Sequence, residues 1–381
     1  MISEKKIRVA NVVLNNFTTD NRVYKISKSL QDANYEVVVV ALLKGDVPAT
    51  EVKEGINVRR VALRTITLPE GTFWGLIKFI EIIFKIVKEY RNYDIWHCND
   101  IEAFGIGVVA RVFRPKLKLV YDCHEFEGER NGRSSFERRL VRWFEKLFIH
   151  RAKAVITVSP NIAKAYTERY GVDPVWLVRN VPHKSVSPDK MNIFRTRFNI
   201  PNEEPVFLYQ GAFTYNRGLE EALQAFKDIS GAHLVCMGYG IFQNLVEESA
   251  RDFGNIHFMP AVPYNEVLDH TASADVGLLS VRPTCLSYLF CLPNKLFEYI
   301  QAGIPILSND LPDCRKIIED YNIGWVLNEF TAESLKVAVN DLKQQDLNGF
   351  KNGLQKAQND LHWEKEEKVL FDLYKEVTWQ K

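Results

Sequence analysis

Arg217 stands in the segment FLYQGAFTYNRGLEEALQAF, residues 207–226. An apolar strand ends there at Gln210–Gly211, a loop follows, and a helix opens near Gly218. A helix start offers unsatisfied backbone N–H groups and the positive end of a dipole. With a guanidinium beside them, these groups can hold a diphosphate. A solvated arginine ahead of a helix explains the same residues equally well. A second segment, LPNKLFEYIQAGIPILSND at 292–310, opens a helix near Asn294 and stops it at Gly303. Lys295 lies in its first turn and Glu298 three residues on, so both project from one face. The cation can hold phosphate while the carboxylate accepts two ribose hydroxyls. The alternative is an i,i+3 surface ion pair of small worth.

The first half carries WHCND (96–100) and LVYDCHEFE (119–127), each with polar groups at the end of an apolar run. Asp100 and His124 are the candidates there, although a lone histidine at a strand end is more often structural. No Ser, His and Asp are spaced as a recognisable triad, and no His/Cys/Asp/Glu cluster has metal-ligand spacing. Neither a metal nor a resident cofactor is expected.

The elements that must position these residues alternate along the chain. Strands are expected near Ile7–Leu14, Glu36–Leu43, Val58–Leu63, Asp94–Cys98, Leu117–Cys123, Ala154–Val158 and Val175–Val178, with helices such as Asn21–Ala33 and Ile101–Phe113 between most of them. Near-continuous apolar strands mean a sheet covered on both faces, and strand–helix alternation means a parallel, doubly wound sheet. Residues 181–204 break the pattern with three prolines and no strand, as a linker would. A second alternation follows, with strands near Val206–Gln210, His233–Met237, Ile256–Met259, Val276–Ser280, Pro305–Asn309 and Trp325–Leu327. The expected architecture is α/β, with two Rossmann-like domains at 1–180 and 205–360. A helix within 361–381 packs back on the first. In such sheets ligands bind outside the C-terminal strand ends, so a cleft between two such edges would suit two substrates.

Length agrees with two domains. The 381 residues are 46% hydrophobic and 25% charged with a net charge of +1, so no overall field favours nucleic acid. The six cysteines show no Cys-x-x-Cys spacing and read as buried thiols of a reducing compartment. The start, MISEKKIRVANVVL, has no secretory pattern. The greasiest segment, Phe73–Tyr90, carries Lys78, Glu81, Lys85 and Lys88 and would not cross a bilayer. A cytoplasmic location is expected, with or without contact to a membrane face.

Taken together, the two donor-like segments resemble the C-terminal half of the GT-B glycosyltransferases, specifically the retaining family 4 type that includes bacterial polysaccharide and lipopolysaccharide transferases. Arg217-Gly218 matches that family's Lys-Gly element. Glu298 with Gln301-Ala302-Gly303-Ile304-Pro305 matches the second Glu of a Glu-x7-Glu pattern and the tail that follows it. The likeness implies a UDP- or GDP-sugar donor, with Arg217, Lys295, Glu298, Asn294 and Gly211 around it. It also brings Gly238 and Gly240 close to the donor and lays the base against the backbone near Ala261–Val262. Two positions depart from the pattern: Ala212 stands where the family has a basic residue, and Phe290 where it has the first Glu. Lys295 would then supply the missing charge, while the sugar stays open.

In the first half, Asp20 and Arg22 resemble an Asp-x-Arg-Val helix start of one branch, with Asp20 more simply an N-cap. Asn15, Asn16 and Phe17 replace the glycines that many relatives bring near the donor. WHCND and YDCHE resemble the His-x-His-Asp and Tyr-Asp-Ser-His-Glu signatures. This implies His124, with Asp100, near the reacting centre on the side of a saccharide acceptor, free or lipid-linked. The family transfers sugar with retention and without a metal. Residues 133–153, RSSFERRLVRWFEKLFIHRAK, pair an apolar stripe with Arg138, Arg139, Arg142 and Lys146. That suits either an anionic membrane surface or a sheet-covering helix with a charged outer side. Two rivals to a transferase are a GT-B nucleotide-sugar epimerase and a bilobed sugar-binding protein. A dehydrogenase is disfavoured, because neither domain opens with Gly-x-Gly-x-x-Gly.

Overall fold

The apolar runs become fourteen strands in a computed structural model that describes residues 6–69, 71–185 and 191–379. Residues 186–190 of the expected linker, the first five residues and the last two lie outside the described residues. The chain forms two units. One runs to Arg179 and takes in the residues from Glu367 onward, and the other is Asn180–Glu366.

The N-terminal unit holds β1 (Arg8–Val12), β2 (Glu36–Leu42), β3 (Thr50–Lys53), β4 (Ile56–Val61), β5 (Ile95–Asn99), β6 (Lys118–Cys123), β7 (Ala154–Thr157) and β8 (Val175–Leu177). Their order is β3-β4-β2-β1-β5-β6-β7-β8, parallel except for β3 on β4. The central strands are buried on both faces, which is why they read as continuous hydrophobic runs. No strand was expected at β3. It is a four-residue edge strand, TEVK, whose residues alternate between exposed and half-buried, and it turns into β4 through Glu54 and Gly55, both at positive φ.

Helix Asn21–Asp32 opens on Asp20, whose carboxylate accepts from the Val23 N–H at 3.1 Å. Helix Ser135–Phe148 opens on a reciprocal cap between Ser134 and Glu137. Its faces correct the expectation of a charged outer side. Phe136, Leu140, Trp143 and Leu147 are exposed, whereas Glu145 is fully buried. The hydroxyls of Tyr121, Tyr166 and Tyr170 all donate to Glu145, at 2.7–2.9 Å, so the inward face is the one that carries the carboxylate. Helix Thr72–Tyr90 likewise exposes Phe73, Leu76, Ile80 and Phe84. Phe79 and Phe144 from these two helices both close on Gly105 of helix Asp100–Phe113. No helix of the described residues is long and apolar enough to cross a membrane.

The C-terminal unit holds β9 (Val206–Ala212), β10 (His233–Tyr239), β11 (Ile256–Pro260), β12 (Val276–Leu279), β13 (Ile306–Asn309) and β14 (Gly324–Leu327). They form one parallel sheet in the order β11-β10-β9-β12-β13-β14. Helices Leu219–Phe226 and Ala332–Leu342 pack on it through a core that includes Phe207, Phe226, Leu335 and Val339. The six cysteines are free, five of them buried.

Candidate functional site

In the C-terminal unit, β9 ends two residues beyond its expected stop and delivers Gln210 and Gly211 to the sheet edge. Gly211 adopts φ 118° and pairs in register with Gly238, where a Cβ would lie 1.9 Å from the Gly211 carbonyl oxygen. Gly240 would meet the Phe213 carbonyl in the same way. These glycines let β10 close on the loop that carries Arg217. The guanidinium of Arg217 lies 4.7 Å from the Tyr288 ring centroid, with the Tyr288 hydroxyl at 3.4 Å. Its backbone carbonyl accepts from the hydroxyls of Tyr209 (3.1 Å) and Ser280 (2.5 Å). Helix Leu219–Phe226 opens at Gly218 as expected, but its first turn carries Glu220 and Glu221. Those acids already answer the helix dipole, so anion-binding capacity here rests on the guanidinium.

The helix Asn294–Ala302 differs. Its N-cap, Pro293, supplies no side-chain cap, and no acid occupies the first turn. Asn294 accepts from the Asn180 amide at 3.1 Å. The Lys295 ammonium lies 4.6 Å from the Tyr209 ring centroid. Burial, then the charge of Arg217, pulls Lys295 down to about 7 against the opposing pull of Glu298. Neither Arg217 nor Lys295 pairs with a carboxylate within 4 Å among the described residues. Two neighbouring cations rest on aromatic faces instead, an arrangement that costs free energy until an anion arrives. Glu298 accepts from the Gln210 amide at 2.5 Å. Val262 lies half-buried in the loop after β11, followed by Tyr264, which burial and then Glu298 push up to about 12. Ala212 is exposed at the end of β9, and Phe290 ends the short helix Leu286–Leu289.

In the N-terminal unit, β5 and β6 bring Asp100 and His124 to adjacent strand ends. The His124 Nδ1 lies 3.6 Å from Asp100, and its Nε2 3.4 Å from Asp122. Burial lowers the His124 pKa, but Asp100 and Asp122 more than reverse this and leave it at about 8. At neutral pH the ring is therefore mainly an imidazolium, a donor rather than a base. Asp100 holds φ 62°, an unusual backbone state for a non-glycine residue. Asp122 is buried and meets Arg22 in two bonds, 2.6 and 2.9 Å. Burial raises this carboxyl, but Arg22, then His124 and His97, hold it well below its ordinary value. His97 bridges Asp122 at 3.2 Å and the Tyr374 hydroxyl at 2.9 Å. Asn16 is tied to two neighbouring loops: its amide N–H donates to the Lys44 carbonyl after β2, and its oxygen accepts from Thr18 in its own loop.

Asp122, Tyr374, Gln210 and the aromatic supports Tyr209 and Tyr288 were not singled out from the sequence. Asp122 lies inside the YDCHE stretch and could have been, but the others become visible only when distant segments meet.

The model of Glycosyltransferase Family 4 matches residues 20–181, and that of Glycosyl transferases group 1 matches residues 190–358. An uncharacterized glycosyltransferase of Methanocaldococcus jannaschii is 25% identical over 321 residues, 79% of each chain. Sucrose-phosphate synthase from Thermosynechococcus elongatus superimposes with a TM-score of 0.79 at 17% identity, over 99% of this chain and 100% of that one. The Anabaena protein HepE, in complex with UDP-glucose, gives 0.75 at 13% identity, over 97% and 99%. Both structural likenesses concern the fold, and the family models carry the activity. The chain belongs to the GT-B glycosyltransferases, its two halves matching Glycosyltransferase Family 4 and Glycosyl transferases group 1.

Proposed function

We propose that this glycosyltransferase moves a sugar from a UDP- or GDP-sugar to a saccharide acceptor, with retention and without a metal, in surface polysaccharide or lipopolysaccharide synthesis. The observation that carries the donor half is the pair Arg217 and Lys295, two neighbouring cations held over Tyr288 and Tyr209 with no carboxylate within 4 Å among the described residues. As the bond from the anomeric carbon to the diphosphate breaks, negative charge grows on the departing oxygen. The two cations and the first-turn N–H groups of helix Asn294–Ala302 stabilise that charge. Glu298 accepts from the ribose hydroxyls. HepE, with UDP-glucose bound, is a fold relative that supports a nucleotide-sugar donor. The N-terminal unit handles the acceptor, where His124, as an imidazolium beside Asp100, orients a hydroxyl that attacks from the leaving-group side and passes its proton to the departing diphosphate oxygen.

The test of the donor assignment is Glu298→Gln. UDP affinity measured by calorimetry should fall by about 1.5–3 kcal/mol, the worth of hydrogen bonds to a charged group. Unchanged affinity would detach Glu298 from the ribose. A pH series with UDP-glucose, whose diphosphate does not titrate near neutrality, probes Lys295. Anion binding favours the ammonium, so affinity should be greatest below about 7 and decline as pH rises above it. Lys295→Met should flatten that slope; an equal slope in both proteins would assign the titration elsewhere.

A peripheral membrane location is favoured by the exposed apolar side chains of two helices. The exposed Phe136, Leu140, Trp143 and Leu147 share the N-terminal unit with the exposed Phe73, Leu76, Ile80 and Phe84, and the exposed Arg139 and Lys146 lie on the first of these helices. Apolar side chains beside cations suit a bilayer with anionic headgroups. Replacing Phe136, Leu140 and Trp143 together with Ser should weaken binding to phosphatidylglycerol vesicles by about a hundredfold or more, since each large apolar side chain contributes roughly 1.5–3 kcal/mol when buried. Parental protein that fails to float with such vesicles would remove the membrane role.

A further inference from the structure

We infer that Gln210 is a positioning residue for nucleotide recognition: anchored by Thr271, it fixes the rotation of the Glu298 carboxylate. This rests on the proposed contact between Glu298 and ribose. Gln210 is the last buried side chain of β9, an amide among aliphatic and aromatic neighbours. Burying an amide costs free energy unless both ends are hydrogen-bonded. Here both are: Nε2 donates to Glu298 Oε2 at 2.5 Å, and Oε1 accepts from the Thr271 hydroxyl at 2.8 Å.

The polarity of this chain follows from the chemistry. An ionised carboxylate only accepts, so the Gln210 nitrogen must face Glu298 and its oxygen must face Thr271. Thr271 has a single hydroxyl proton and two acceptors in reach, Gln210 Oε1 and the Val267 carbonyl at 2.7 Å. The carboxylate fixes which way the amide faces, because turning it over would set two acceptors against each other, and the single Thr271 proton is then shared between the Gln210 oxygen and the Val267 carbonyl. Gln210 thus ties three elements together: β9, helix Val267–Thr271 and helix Asn294–Ala302. Glu298, the fifth residue of its helix, has three side-chain torsions, and ordering them on binding lowers affinity. With the amide in place, the carboxylate is held in one orientation before the nucleotide arrives.

The experiment compares UDP with 2′,3′-dideoxy-UDP, which lacks the hydroxyls that Glu298 would accept from, on the full chain by calorimetry. Gln210→Leu, close in volume, removes the amide. It should weaken UDP about tenfold and leave dideoxy-UDP within about twofold of its parental affinity. Thr271→Val, which removes only the anchoring hydroxyl, should show the same selective loss at smaller size, and it serves if Gln210→Leu does not fold. Equal losses for both nucleotides would mean that Gln210 merely supports the fold, and no loss for either would mean that it does not act on the site; each overturns the inference. A parent that binds both nucleotides equally would instead overturn the ribose role of Glu298, and this inference with it. Selective loss of UDP in Glu298→Gln without any in Gln210→Leu would leave that role standing and overturn this inference alone.

Discussion

Arg217→Ala and Lys295→Ala are each expected to lower kcat/KM for sugar transfer by roughly 10²–10³, the scale for losing one preorganised charge stabiliser. The expectation follows from how these cations are held. A surface arginine or lysine paired with a carboxylate gains little from a new anion, because the partner must first be released. Arg217 and Lys295 lean on Tyr288 and Tyr209, and each raises the electrostatic cost of the other. A diphosphate relieves that repulsion, and relieves it most when its leaving oxygen carries the most charge. The loss should therefore fall more on kcat than on KM, and Lys295→Arg should recover only part of it, since a planar guanidinium does not place its charge where the compact ammonium does. Steady-state kinetics with EDTA present checks this and the proposed independence from metal together. Turnover within threefold of the parent in both variants, or turnover that EDTA abolishes and manganese restores, would contradict the account.

Arg22→Met should destabilise the N-terminal unit by about 3–5 kcal/mol, the penalty for stranding one member of a buried ion pair. Asp122 is fully buried, and Arg22 meets it with two short bonds while also donating to the Val178 carbonyl at 2.8 Å. Removing the guanidinium leaves a buried carboxylate that, among the described residues, meets His97 and His124. In a unit of this size the melting temperature should fall by roughly 6–20 °C. Asp122→Asn in the same background should recover part of the loss, because the stranded charge disappears. A melting shift of under one degree for Arg22→Met would show that the pair contributes little to stability.

The parallel strands were legible because burial on both faces leaves an unbroken apolar signature, as in EVVVVAL of β2. The edge strand β3 escaped because half-exposed strands of four residues carry no such signature. Arg217, Lys295 and Glu298 were legible because a helix start fixes their spacing locally. Their supports were not: Tyr209 and Lys295 are far apart in sequence, and Gln210 passes for another strand residue until Glu298 and Thr271 meet it. The same holds for Arg22 and Asp122, separated by 100 residues. The helix Ser135–Phe148 misled in a different way. Its periodicity correctly implied two faces, but which face turns inward was decided by three tyrosine hydroxyls around Glu145, contributed by β6 and by helix Pro160–Tyr170.

The central claim is that the C-terminal unit binds a nucleotide-diphosphate sugar between the two cations. The most direct measurement is a crystal structure of the protein grown with UDP and EDTA. The diphosphate should lie between the Arg217 guanidinium and the Lys295 ammonium, at the N-terminus of helix Asn294–Ala302, with the ribose hydroxyls within hydrogen-bonding distance of Glu298. UDP bound at the strand ends of the N-terminal unit, or in the C-terminal unit with its phosphates away from both cations, would contradict it.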